Sequence, residues 1–476
     1  YIYVFIVVMP SAVGAPFAEE IKMQRSYSKS TSHPFPSSYR TGWLPEPGST
    51  AWSKFHKHVE DEVRAFDGPL APPVQELLDF LTDNPVVSYL MANACRQNET
   101  MLNTPNLDTD GVPIPRIPDA QFFAAVCNFL LTWWPRYIDD DLVGLPFSGF
   151  TVGIDPTLSG SQLLGLPQFN EKMGQVLNQW HQFLGSPASA GGFSKEGEQW
   201  LSPKAKESYQ FDLWQKDNET LPYWNSWNSF FTRNFKDPQS ARPIADPQSN
   251  QTVICPNDGS LFRWDWNVAA DNTFWFKDMN YSLRDILSSP IPEQQSIIDQ
   301  FGLVDMFAGG YVFQTYLNPY NFHRWWVPVN GKVLFDPICI PGAYFNKLVL
   351  PDFGGATTAS LPYLTEVNAR GLIVFETADY GRVCCIPLGM SEVSTIAFDG
   401  QMTQGASVKK GQEMGMFNYG GSSFAIIYEN LPDKQLVFMD ADGNHYPQRP
   451  QTATSSSGAG GNVTNIGAQI GVWYSR

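Results

Sequence analysis

The sequence predicts an α+β fold, a helical N-terminal domain followed by a β-rich domain, and three observations carry that expectation. Apolar residues recur at helical spacing between Trp52 and about Leu201. After Tyr223, short runs of β-branched and aromatic residues take over. Gly, Pro, Asn and Asp separate those runs, as turns between strands require. With 476 residues the chain has ample material for a large core and is expected to form two domains. The expected limits are a flexible arm over 1–50, the helical domain over 51–205 and the sheet-dominated domain over 206–476.

The arm is rich in Ser, Pro and Tyr and lacks apolar periodicity, so little in it drives packing. Its apolar opening, residues 1–9, stops at Pro10 and is well short of the ~20 residues a membrane-spanning helix needs. Two readings of this opening stand. Residues 1–15 are a signal-peptide remnant with Val13-Gly14-Ala15 as cleavage site and a secreted product, or residues 1–8 are upstream sequence ahead of a start at Met9. A cytoplasmic location is favoured. In the helical region, residues 74–81 place their apolar side chains on one stripe. Residues 120–134 read as a buried core helix stopped by Pro135, and 177–184 continue the pattern. Further on, residues 310–316, 331–335, 372–376 and 383–388 read as strands. A low-complexity bridge over 452–460 precedes a returning strand over 465–472.

The formal net charge of −16 argues against nucleic acid as a partner and, more softly, against an anionic membrane surface. The 6 cysteines show no metal-ligand spacing, and no metal is expected. They read as free, buried thiols in a reducing compartment. Cys384 and Cys385, adjacent on a strand, should face opposite sides of the sheet. Aromatic residues make up 14% of the chain, enough bulky apolar surface for a buried site.

One stretch suggests chemistry: Phe417-Asn418-Tyr419-Gly420-Gly421-Ser422-Ser423-Phe424. A serine on a tight turn can attack the carbonyl before it, converting the amide to an ester. Elimination then leaves a pyruvoyl group on the new N-terminus. Glycine suits the position before the serine, having no Cβ to obstruct the approach. Taken alone, the stretch is equally an ordinary turn between strands. Four further blocks occur upstream in fixed order. They are Phe230-Phe231-Thr232-Arg233-Asn234-Phe235-Lys236 with Ala241-Arg242-Pro243-Ile244; Cys255-Pro256-Asn257-Asp258-Gly259; Asn318-Pro319-Tyr320-Asn321-Phe322-His323-Arg324-Trp325-Trp326; and Lys409-Lys410-Gly411-Gln412-Glu413-Met414-Gly415.

In this order the blocks resemble the phosphatidylserine decarboxylase family of pyruvoyl enzymes. Leu388-Gly389-Met390-Ser391-Glu392-Val393-Ser394-Thr395 is similar to its soluble fungal, L-tryptophan decarboxylase-like branch. The resemblance runs from about Tyr223 to Tyr428 and is loose before it. It implies cleavage between Gly421 and Ser422, with Ser422 the precursor of a covalent, self-generated pyruvoyl cofactor. It also implies loss of CO₂ from an amino acid through a Schiff base to that group. An Asp–His–Ser arrangement would drive the cleavage, with Asp258 orienting the histidine, although Asp258-Gly259 is equally a common turn.

His323 is the candidate to reprotonate the carbanion, since imidazole titrates near working pH; outside the motif it would read as a packed core histidine. Arg324 either holds a substrate carboxylate or pairs with an internal acid, with the second favoured. Phe322, Trp325, Trp326 and Phe313 offer aromatic surface to an indole or phenol, and equally make plain core. The family's second histidine falls at position 326, where this chain has Trp, and an indole cannot act as a base. Three outcomes stand open: His323 serves both steps, Asp258 assists directly or through water, or the chain stays uncut as a small-molecule binding protein. The favoured reading is a pyruvoyl-dependent carboxy-lyase acting on an aromatic L-amino acid, with phosphatidylserine second. Oligomeric state is not legible.

Overall fold

The computed structural model describes residues 45, 48–104, 113–139, 141–271, 282–345, 366–392, 394–419, 423–440, 442–446 and 463–476. The signal-peptide reading, Met9 and the 452–460 bridge lie outside the described residues, as does nearly all of the expected arm.

Helices dominate the first part, and local sequence explains where they begin. Ser49 caps Thr50–Ala65 by accepting the Ala51 amide, and Asn84 caps Pro85–Leu102 by accepting those of Val86 and Val87. Proline occupies the first turn of Pro72–Asp83, Pro85–Leu102 and Pro167–Leu184, where its missing N–H costs nothing. The apolar stripe expected over 74–81 is the buried face of Pro72–Asp83, with Val74, Leu77, Leu78 and Leu81 inside.

The helix expected over 120–134 is shorter, Ala120–Leu130. Pro135 disfavours helical geometry in the residue before it. The carbonyls of Trp133 and Pro135, freed from helical pairing, accept the indole N–H groups of Trp180 and Trp200 at 2.7 Å each. Arg136–Ile138 and Asp141–Val143 then pair as a small antiparallel hairpin, which the helical reading omitted.

The later part is built on sheets. Among the described residues a nine-stranded antiparallel sheet runs Ser407–Val408, Gly331–Val333, Arg370–Glu376, Arg382–Leu388, Ser423–Tyr428, Tyr311–Tyr316, Gly259–Trp266 and Val463–Thr464. Ile338–Ile340 also pairs with Arg370–Glu376. Ile396–Phe398, Glu413–Phe417 and Arg324–Trp326 form a three-stranded sheet, and Lys434–Phe438, Gln469–Ser475 and Thr252–Ile254 form another. The returning strand expected over 465–472 is thus Gln469–Ser475, offset toward the C-terminus.

Both faces of the large sheet are covered, so its strands read as continuous apolar runs. Cys385, Phe424 and Ile426 join one apolar cluster; Cys384, Ala425 and Ile427 join the other. The adjacent cysteines therefore do face opposite ways. All 6 are free, and Cys339 is exposed, a departure from the buried thiols expected. The first cluster extends from Trp52 through Trp180 to Trp473, so helices and sheet share one core. No described helix is long and apolar enough to cross a membrane.

Candidate active site

Strand Ser423–Tyr428 lies in the middle of the large sheet, paired on one side with Arg382–Leu388 and on the other with Tyr311–Tyr316. Gly421 and Ser422, the expected cleavage site, lie outside the described residues, bordered by Tyr419 and Ser423. Ser423 is buried, opposite Leu388 and Tyr316. Its hydroxyl donates to the Thr315 carbonyl at 2.8 Å and accepts from Gln314 Nε2 at 2.9 Å. That hydroxyl is committed. Next to it, the Thr315 hydroxyl exchanges hydrogen bonds with the Asn257 amide at 2.8 and 3.0 Å, linking the strand to the turn that bears Asp258.

His323 is fully buried. Its ring lies 4.0 Å from that of Phe231, centroid to centroid, and Phe231 in turn meets Tyr419 edge-on at 5.2 Å. Its carbonyl accepts the Phe417 amide at 2.9 Å, fastening it to the strand that leads to position 420. Burial holds the imidazole pKa well below its ordinary value; the Arg233 charge adds to this, and a hydrogen bond with the Asn321 backbone opposes it. The ring is therefore neutral at pH 7, and a neutral imidazole has one nitrogen able to accept a proton.

Arg233 is buried too, its Nη2 donating to the carbonyls of Tyr320 and Asn321 at 3.1 and 3.2 Å, its guanidinium 4.2 Å from the Trp214 ring. Burial lowers its pKa to about 10, which leaves it charged at neutral pH. The loop it holds is the one carrying His323.

Asp258 does not meet an imidazole. Its carboxylate takes a two-pronged ion pair from Arg242, with Nε at 2.9 Å and Nη2 at 2.7 Å, and also accepts the Ile466 amide at 2.8 Å. Trp326 approaches the same turn through its backbone, donating to the Pro256 carbonyl at 2.8 Å. Arg324 pairs with Glu413 and donates to the Thr232 carbonyl at 2.8 Å. Trp325 packs among Phe398, Phe417 and Phe424 with no exposure, and Phe322 packs on Phe235 and Trp214. Arg324 is thus paired with an internal acid, and Trp325 and Phe322 are packed against neighbouring rings.

Sequence reasoning gave no role to Arg233, Arg242 or Glu392. The arginines stand in quoted blocks, and a charged residue inside an apolar run such as Phe230-Phe231-Thr232-Arg233 is the signal that could have found one of them. Glu392 is buried, and its oxygens accept the Phe147 amide at 2.9 Å, the Ser148 amide at 3.1 Å and the Ser148 hydroxyl at 2.5 Å. No sequence pattern links positions so far apart. Among the described residues, no group of three or more His, Cys, Asp or Glu converges as a metal site would require.

The family model described as phosphatidylserine decarboxylase matches residues 227–442, and a second model of the same description matches 71–209. The decarboxylase iboD of Amanita muscaria is 31% identical over 310 residues, covering 60% of this chain and 84% of that protein. The L-tryptophan decarboxylase of Psilocybe cubensis is 26% identical over 424 residues, covering 83% of this chain and 89% of that one. The phosphatidylserine decarboxylase proenzyme of Dechloromonas aromatica is 28% identical over 259 residues, 51% of this chain and 82% of the bacterial protein.

Proposed function

The chain belongs to the phosphatidylserine decarboxylase family, in its fungal tryptophan decarboxylase-like branch, and from that premise we propose that it is a self-processing decarboxylase of an aromatic L-amino acid. The bond broken in maturation is Gly421–Ser422, and the pyruvoyl group made from Ser422 is the cofactor. When formed, its ketone supplies an electron sink for loss of CO₂ from a primary amine.

The observation that carries the reading is His323: a buried, neutral imidazole fastened to strand Glu413–Phe417, which leads to Tyr419. It accepts the Ser422 hydroxyl proton during scission and returns a proton to the substrate carbon during turnover. The surroundings fit a serine-derived group. Ser423, with its hydroxyl committed to Thr315 and Gln314, is the wrong nucleophile, which leaves Ser422. Asp258 contributes by holding its turn through Arg242 and through Asn257 beside it, rather than by taking a proton. The aromatic substrate follows the Psilocybe relative's name, and phosphatidylserine comes second.

Trp326 favours one other reading, an uncut small-molecule binding protein, because it removes an imidazole from the processing machinery. A denaturing gel with mass spectrometry separates the two. The proposal expects pieces 1–421 and 422–476, the shorter lacking a free N-terminal amine. A single intact chain overturns it. Cyanoborohydride trapping with tryptophan, tyrosine or phenylalanine is expected to tag the short piece; no adduct with any of them removes the aromatic substrate.

A further inference from the structure

Glu392 lies four residues beyond Leu388, the strand residue paired with Ser423. Its carboxylate reaches out of the sheet region altogether. All three of its donors, the amides of Phe147 and Ser148 and the Ser148 hydroxyl, belong to the helical region. Burial raises its pKa, and these three hydrogen bonds, with one from its own backbone, pull it back down. A second tie lands on the same loop. Tyr419, the last described residue before position 420, donates its phenol hydroxyl to the Gly144 carbonyl and meets Trp180 edge-on at 4.9 Å.

The backbone at both ties is strained. Ser391 has φ 54° and Tyr419 has φ 34°, left-handed values that side chains other than glycine rarely adopt. Both residues are buried, and such conformations persist only where surrounding contacts over-determine them.

We propose that Glu392 is a positioning residue for chain scission: it fastens the end of the strand paired with Ser423, and Tyr419 fastens the segment before residue 420, to the helical-region loop Gly144–Ser148. The inference rests on the self-processing reading. Attack of a serine on the carbonyl before it needs both atoms held near contact geometry, and slack at either border reduces the fraction of time they are. A buried carboxylate that accepts three donors at once fixes position in a way an apolar contact does not. The helical region is then part of the processing machinery.

The experiment follows scission of freshly synthesised chain on denaturing gels for the parent, Glu392→Ala and Glu392→Gln. Ala, which loses all three hydrogen bonds, is expected to slow scission about tenfold or more. Gln keeps an oxygen for the two amides and an NH₂ for the Ser148 hydroxyl, so it is expected to stay within about threefold of the parent. Ala cut at the parental rate overturns the proposal, and so does Gln as slow as Ala, which would assign the effect to charge. Cooperative melting of the Ala variant in a Ser422→Ala background checks that it folds. If it does not, Tyr419→Phe takes its place, since it removes one hydroxyl, and parental speed there overturns the proposal. A parent that is never cut overturns the functional reading and this inference together; a cut parent with an equally fast Ala variant overturns this inference alone.

Discussion

The resemblance implies a second histidine at position 326, where this chain carries Trp326, a packed indole. It is 7% exposed, its ring sits edge-on to Phe322 at 6.4 Å, and a Cβ placed on Gly467 would come within 3.5 Å of it. The indole thus closes the space beside the Asp258 turn while Arg242 holds the carboxylate there. On the self-processing reading, an imidazole at position 326 would add a base beside that turn. Trp326→His is therefore expected to speed scission several-fold, read as the half-time of the uncut band. The smaller ring leaves part of a buried site empty, so thermal unfolding should show a loss of about 2 kcal/mol. An unchanged half-time would mean that His323 already supplies all the base the reaction uses. His323 was legible in the sequence because a motif surrounds it. Arg233, which helps keep it neutral, was not, because an electrostatic effect depends on distance across the fold.

The short helix Leu283–Leu287 shows how an element is fastened at both ends. Glu366 accepts the amide of its N-cap residue Ser282 at 2.9 Å. At the other end Arg370 donates to the carbonyls of Asp285, Ile286 and Ser288 at 2.6–2.8 Å. Burial pushes the Glu366 carboxyl up to about 7; the Asp285 charge adds to this, while the Ser282 N–H and Arg370 oppose it. A carboxyl raised in the folded state favours the protonated form. Its contribution to stability is fully present below the unfolded value of 4.5 and is lost as pH rises through about 7. Glu366→Gln should remove that loss, so its melting temperature relative to the parent should climb between pH 4.5 and about 7. Parallel melting curves across that range would contradict the assignment.

None of this clamp was readable beforehand, since it joins residues brought together only by the sheet. The strands themselves were readable, because burial on both faces leaves continuous apolar runs. The helix from Ala120 was overextended because Trp133 and Trp134 fit its apolar pattern, whereas the chain there turns out of the helix and the carbonyls of Trp133 and Pro135 accept the indoles of Trp180 and Trp200.

At the scale of the whole molecule, one core joins helices and sheets, and the expected break falls within it rather than at an edge. The piece beginning at Ser422 would own Ser423–Tyr428, a strand paired over six residues on each side. It would also own Lys434–Phe438 and Gln469–Ser475, the latter paired to Thr252–Ile254, and Val463–Thr464, paired to the large sheet. Phe424, Ile426, Ile427, Tyr428 and Trp473 are all at most 2% exposed, and burying each large apolar side chain contributes roughly 1.5–3 kcal/mol. Releasing the short piece would expose all of these and leave two central strands with unpaired edges. The mature protein is therefore expected to run as a single species on native size exclusion, with both pieces in one peak, and to separate only in denaturant. Separate native elution would mean that the central strand is not held as its pairing indicates, and would remove the basis for a stable two-piece enzyme.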